Sequence, residues 1–278
     1  MKKNTVTING LSVTAIGEST PTAIFIHGGP GVFGYSESFC KSISMFATVL
    51  HYHQRGSKET NRDIGIEDHI EDLESIIENQ FPTAKPIVVG HSWGAMLALL
   101  FAAKHSRRIQ KLILIGSGPL NSSNGKEFMI EILNRFSDRR DYFDDLWRKI
   151  ETQKDGTIQQ SLANRYINQI VPFYQNEKVT TALFPQLYWD FRASVKTMTE
   201  SDQYVECNTY EDALPQIQCP ITVMHGSNDP LSPRFLFPIF EKHCPFARLH
   251  EFEKAGHYPW IGESDSEFME ILKEEFKS

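Results

Sequence analysis

A serine stands between two glycines in Gly90-His91-Ser92-Trp93-Gly94, and two residues able to complete its chemistry follow it along the chain. Asp229 lies in His225-Gly226-Ser227-Asn228-Asp229-Pro230, and His257 in Lys254-Ala255-Gly256-His257-Tyr258. A serine hydroxyl is a weak nucleophile until a neighbouring base takes its proton. Ser92 would attack a carbonyl carbon. His257 would accept the proton and pass it to the leaving group, while Asp229 would fix the imidazole tautomer and stabilise the imidazolium. Some chains of this design carry the acid one strand earlier. Here that loop is Gly116-Ser117-Gly118-Pro119, and no carboxylate appears before Glu127.

The tetrahedral intermediate of such a reaction needs donors for its oxyanion. Gly28-Gly29-Pro30-Gly31 follows a β-prone run at residues 22–26 and lets backbone approach a reacting carbonyl closely. The expected donors are the N–H groups of Gly29 and of Trp93, the residue after the nucleophile. The same loop lacks the glycine spacing of a dinucleotide or P-loop phosphate cradle. His27 reads as a brace for the glycine turn. His91 should point away from the site if strand alternation holds.

The elements that must position these groups are legible from periodicity. Ile87-Val88-Val89 is a β-branched run, and residues 95–103 form a small, apolar helical run, so Ser92 sits at the apex of a strand–turn–helix elbow. Asn9-Gly10 at the centre of residues 5–16 predicts a hairpin. Strands are expected at residues 22–26, 46–51, 111–115, 221–224 and 247–252. Helices are expected at 36–45, 66–79, after Pro233, and from about Glu263 to Phe276. Alternating strands and helices imply an α/β fold with a mostly parallel central sheet and helices on both faces. Between residues 120 and 215 the texture changes: helical patterns follow one another with no convincing strand. We read 1–119 with 216–278 as the core and 120–215 as a helical cap inserted in it.

Composition narrows the class. With 278 residues and 40% hydrophobic content the chain can bury a large core. The net charge of −7 argues against nucleic acid and anionic membranes as partners. No run is long enough to span a bilayer, and MKKNTVTING has no apolar core of a signal peptide. Cys40, Cys207, Cys219 and Cys244 are scattered, suggesting neither zinc nor a disulfide framework. The expectation is a cytoplasmic protein that needs no metal or cofactor and acts on a small molecule or short peptide; its oligomeric state is left open.

HGGPG after the third strand, HQRGS after the fourth, GHSWG at the elbow and the late Asp and His together resemble the α/β-hydrolase fold, and more narrowly the prolyl iminopeptidase family of serine peptidases. The resemblance covers the chain outside the cap. It implies an aminopeptidase releasing N-terminal proline, or another small residue, from short peptides, and a cis peptide between Gly29 and Pro30. It also implies carboxylates on the cap side that hold the substrate's free α-amino group, often a Glu after a Trp. Trp189-Asp190 is the match here, with Asp in place of Glu, and Glu200 is the second candidate. Family members usually read Asp-Gln-Arg-Gly where this chain has His53-Gln54-Arg55-Gly56. A carboxylesterase or related small-molecule hydrolase would use the same triad. A non-catalytic binding protein on this fold is a third possibility, against which the intact triad argues.

Overall fold

The computed structural model describes residues 2–20, 22–55, 64–175, 185–262 and 264–277. Gly56 and Ser57 of the HQRGS motif, and Glu263 at the expected start of the last helix, lie outside the described residues. The chain opens with the hairpin β1 (Lys3–Ile8) and β2 (Leu11–Ile16). Asn9 and Gly10 both have positive φ, as a two-residue type I′ turn requires. Then come β3 (Ala23–Ile26), β4 (Val32–Phe33), α1 (Ser36–Ile43), β5 (Val49–Tyr52), α2 (Ile66–Gln80), β6 (Ile87–His91), α3 (Trp93–His105) and β7 (Lys111–Ile115). The excursion after β7 holds α4 (Ser122–Arg135), α5 (Arg140–Thr152), α6 (Gly156–Ile170), β8 (Tyr188–Trp189), α7 (Phe191–Glu206) and α8 (Thr209–Ala213). The chain then returns with β9 (Ile221–Gly226), α9 (Pro233–His243), β10 (Arg248–Phe252) and α10 (Asp265–Glu275).

Eight strands form one sheet in the order β1-β2-β5-β3-β6-β7-β9-β10. From β5 to β10 every pairing is parallel; the β1–β2 and β2–β5 pairings are antiparallel. Strand alternation divides the core in two. Ile24, Val88 and Leu114 pack with Leu73 of α2, Phe101 of α3 and Phe240 of α9. Phe25, Val89 and Ile113 point to the other face, onto Phe39 of α1 and Phe268 of α10. Strands covered on both faces are continuously apolar, which explains the unbroken runs at β6 and β7. Helix α3 is buried at every position from Trp93 to Ala102, so its sequence is apolar all round rather than amphipathic.

This topology chooses where a site can form. From β3 the chain crosses to β5 on one side and returns as β6 on the other. The loops leaving β3 and β6 therefore part company and open a crevice beyond their carboxyl ends, the usual ligand position in open α/β sheets. Ile26 pairs with Gly90 across that opening, so HGGPG and the serine elbow emerge side by side.

Three expectations need correction. The strand expected at residues 46–51 begins only at Val49, because the N–H groups of Phe46 and Ala47 still bond back to Ile43 at the exit of α1. Strand β9 continues past Met224 through His225 and Gly226. The segment 120–215 does contain a strand: β8 pairs antiparallel with β4, Val32 opposite Trp189 and Phe33 opposite Tyr188. Two-residue strands are too short to show alternation, so neither carries a periodic signal.

The elbow tolerates no side chain at its second glycine. A β-carbon on Gly94 would stand 2.2 Å from the Ile26 carbonyl oxygen, a backbone atom of the central sheet. Gly94→Ala should therefore push α3 away from β3 and cost about 1–3 kcal/mol, the usual range for overpacking. A urea midpoint matching the unsubstituted protein would contradict this packing.

Candidate active site

Ser92 has φ 57° and ψ −123°, a conformation that non-glycine residues occupy only when their surroundings enforce it. The enforcement is on both sides. Its N–H donates to Ile115 O of the neighbouring strand at 3.0 Å, and its carbonyl accepts from Ala95 and Met96 in the first turn of α3. The side chain is thereby lifted to the mouth of the crevice over a helix N-terminus.

Asp229 and His257 arrive from the next strands over. β9 and β10 pair in parallel, and the loops beyond them are sewn together: Ser227 N–H donates to Phe252 O, and Asn228 N–H to Ala255 O. His257 Nδ1 lies 2.6 Å from Asp229 Oδ2. The other carboxylate oxygen accepts the Leu231 N–H at 2.9 Å. Burial alone would raise this carboxyl. The imidazoles of His257 and His225 outweigh it and hold Asp229 well below the usual carboxylate range. The His257 backbone N–H is in turn held by Tyr174 O at 2.8 Å. The structure thus brings Asp229 and His257 into contact, and Ser92 joins His257 as a wall of the same cavity.

Gly28, Gly29 and Trp93 line that cavity too. Gly29 has φ 138°, open only to glycine, and the Gly29–Pro30 peptide is cis. His27 does brace this turn: its Nδ1–H donates to Gly28 O at 2.7 Å while its Nε2 accepts the Gln54 N–H at 3.2 Å. Gln54 closes the frame. Its side-chain amide donates to His27 O at 2.6 Å and accepts from the Trp93 indole at 3.0 Å. Sequence reasoning assigned Gln54 no role, although its motif was visible. His53, the departure from the family pattern, packs edge-on against Phe33.

The cavity measures about 380 Å³. Its far walls come from the excursion after β7: Phe128, Met129, Trp147, Tyr166, Trp189 and Val205 all face it. The residues expected to bind an amine sit differently. Trp189 lines the cavity, with its indole N–H shared between Pro30 O at 3.1 Å and Ser194 Oγ at 3.2 Å. Asp190, however, is the N-cap of α7 and accepts the Ala193 N–H at 3.3 Å; it is not part of the lining. Glu200 is likewise committed elsewhere, accepting the Ile66 N–H at 2.7 Å at the start of α2. Helix N-termini leave unpaired N–H groups, and both carboxylates are used to satisfy them. The carboxylate in the lining is Asp202, one turn from Met198 on α7, which sequence reasoning missed. Burial and the nearby Glu206 raise its carboxyl above the usual range. His91 is not among the residues of the lining. It stays beside the site, with its Nε2 3.0 Å from His257 O. Among the described residues no cluster of three His, Cys, Asp or Glu side chains could hold a metal ion, and no helix is long and apolar enough to cross a membrane.

A family model for the α/β hydrolase fold matches residues 21–263. The chain is 24% identical to a pimeloyl-[acyl-carrier protein] methyl ester esterase of Nitrosomonas europaea, over 87% of this chain and 90% of that one. It is also 24% identical to a probable aminopeptidase of Bacillus subtilis, over 94% of this chain and 89% of that one. The crystal structure of a proline iminopeptidase from Mycobacterium smegmatis superposes with a TM-score of 0.63 at 20% identity, covering 99% of this chain and 98% of that one.

The imidazoles around the site make a pH prediction. Burial pushes His27 down to about 3 and His51 and His69 down to about 4, and it carries His91 well below 6.5. These rings are neutral in the fold but take protons in the unfolded chain below about pH 6.5. The unfolded state then binds more protons, so stability falls as pH drops from about 6.5 towards 4. Each ring contributes up to about 1.4 kcal/mol per pH unit. Urea midpoints at pH 7 and pH 5 measure this, and a flat profile would overturn it.

Proposed function

The chain belongs to the α/β-hydrolase fold family, and from that premise we propose that it is a serine hydrolase cleaving small ester or amide substrates with an apolar acyl group. The observation that carries this reading is the hydrogen-bonded Asp229–His257 pair opening, with Ser92, onto one largely apolar cavity. Ser92 Oγ adds to the substrate carbonyl as His257 Nε2 takes its proton. The oxyanion receives the N–H groups of Gly29 and Trp93. Collapse of the intermediate expels the leaving group with the proton returned from His257, and water repeats the cycle on the acyl-enzyme. Asp229 stays ionised throughout, stabilising the imidazolium.

The cavity's walls support the acyl preference. Aromatic and methionine side chains face it, and they reward burial of hydrocarbon at roughly 25 cal/mol per Å². A pocket of about 380 Å³ suits a substrate of small-molecule or dipeptide size and leaves no room for a folded protein.

Release of an N-terminal proline or other small residue is the second reading. Similarity to the aminopeptidases supports it, as does Asp202 in the cavity wall. Asp190 and Glu200 stand outside the lining, each with one carboxylate oxygen on a helix N-terminus. If an α-ammonium is bound, Asp202 is the carboxylate that meets it, through a charge-assisted hydrogen bond in a partly dry cleft.

Ser92→Ala should abolish labelling by a fluorophosphonate and lower kcat by several orders of magnitude. Retained turnover across p-nitrophenyl esters and amino-acid amides would remove the serine from the mechanism. A second experiment separates the two substrate readings. Asp202→Asn should leave p-nitrophenyl butyrate hydrolysis within about twofold. If the aminopeptidase reading holds, it should lower kcat/KM on free prolyl amides by about 10- to 100-fold. Equal hydrolysis of free and N-acetylated prolyl amides by the unsubstituted enzyme would leave the ester reading alone.

A further inference from the structure

Beside the reacting groups runs a second polar chain, through Tyr35, which also forms part of the cavity wall, and His91, which does not. The Tyr35 hydroxyl accepts the Gly28 N–H and lies 2.7 Å from His91 Nδ1. On the other side of the ring, His91 Nε2 lies 3.0 Å from the His257 carbonyl oxygen. Directions follow from the chemistry of each atom. A carbonyl can only accept, so His91 Nε2 carries the proton. In a neutral imidazole Nδ1 then holds a lone pair, and the Tyr35 hydroxyl must donate to it. That leaves the Tyr35 oxygen's lone pairs for the Gly28 N–H. Each donor is used once and no two hydrogens collide.

The neutral ring is what this environment favours. His91 and Tyr35 are fully buried, and aromatic rings of Tyr258 and Trp260 surround the imidazole. Burial, with His257 nearby, holds His91 well below the ordinary histidine range. A cationic His91 would turn Nδ1 into a donor and take from the Tyr35 hydroxyl hydrogen the acceptor it uses.

The chain joins three loops that must keep one separation during the reaction. Gly28 precedes Gly29, whose N–H is a proposed oxyanion donor. The peptide linking them is gripped from its carbonyl by His27, and the peptide before it is gripped at N–H by Tyr35. His91 immediately precedes Ser92, and His257 is the proposed base. We infer that Tyr35 and His91 are positioning residues that lock the oxyanion loop to the nucleophile and the base loop through a single neutral tautomer of His91. This rests on the serine-hydrolase reading given above. The expected consequence is selective: loosening the chain misaims a donor that matters in the transition state and leaves ground-state binding almost intact.

The test begins with the unsubstituted protein. Side-chain ¹⁵N NMR should find His91 neutral with the proton on Nε2; a proton on Nδ1, or a cationic ring at pH 7, overturns the inference without any variant. Tyr35→Phe keeps the ring and removes the hydroxyl. It should lower kcat by about 10- to 100-fold, with KM within about twofold, and weaken a boronic-acid transition-state analogue in parallel. His91→Gln puts its amide nearer the Nε2 position and His91→Asn nearer Nδ1, and neither spans from Tyr35 to the His257 carbonyl as the imidazole does, so each should lower kcat by about 10- to 100-fold with KM within about twofold. Tyr35→Phe combined with His91→Gln should be little worse than either alone, since both cut the same link. Unchanged kcat and analogue affinity in Tyr35→Phe would sink the positioning role. If the unsubstituted enzyme neither reacts with fluorophosphonate nor hydrolyses any ester or amide, it is the serine-hydrolase reading that fails, and the tautomer measurement still stands by itself.

Discussion

A serine held at positive φ between a strand and a helix is the constraint on which everything else in this structure depends. Nothing in Ser92 itself favours that geometry, which costs on the order of 1–3 kcal/mol. It persists because its neighbours leave no alternative. Ile115 holds its N–H, α3 holds its carbonyl, and Gly94 lies so close to β3 that the helix can come no nearer. The stretch of α3 from Trp93 to Ala102, buried throughout, and the continuous apolar strands on either side supply the burial that keeps the elbow in place. The core and the site are therefore one construction: the packing of α3 on β3 sets where the hydroxyl points.

The same dependence explains which parts were legible in the sequence. Ser92 and Asp229 could be read because each follows a buried strand, and buried strands announce themselves as apolar, β-branched-rich runs; His257 follows the edge strand β10, of which only Phe252 is buried, and was legible from its place after the last strand pattern. Their meeting in space is a consequence of parallel order, which the alternation of strands and helices implies. Asp190 and Glu200 could not be read, because a carboxylate's use depends on which donor it faces. Asp190 precedes its own helix, so a capping reading was available locally. Glu200 caps a helix that starts 134 residues earlier, and no local pattern encodes that contact. Asp202 was hidden for the converse reason: on a helix, only the packed orientation decides which of several nearby acids turns inward.

Tyr35, Gln54 and His91 lay between these extremes. Gln54 and His91 stood inside motifs already singled out, yet motif spacing tells only that a residue is near the site. Their tasks became visible when donors and acceptors were assigned atom by atom. His27, Gln54 and Trp93 form one closed set, and Gly28, Tyr35, His91 and His257 form another. Both sets are built on neutral imidazoles, whose single donor and single acceptor give each bond a direction that a hydroxyl alone would leave free to rotate.

The smallest element of the fold carries a mechanical implication. The β4–β8 pairing joins the residues just after the oxyanion loop to residues 188 and 189, and the Trp189 indole and the Asp190 N–H extend the join to Pro30 and Gly31. That stretch of the excursion is thus a splint fastened to the glycine turn rather than a flap hung over it. Any displacement of it would drag the oxyanion loop along and unmake the donor geometry. Traffic into the cavity must pass elsewhere, along walls such as α4, whose Met129 faces both the cavity and solvent.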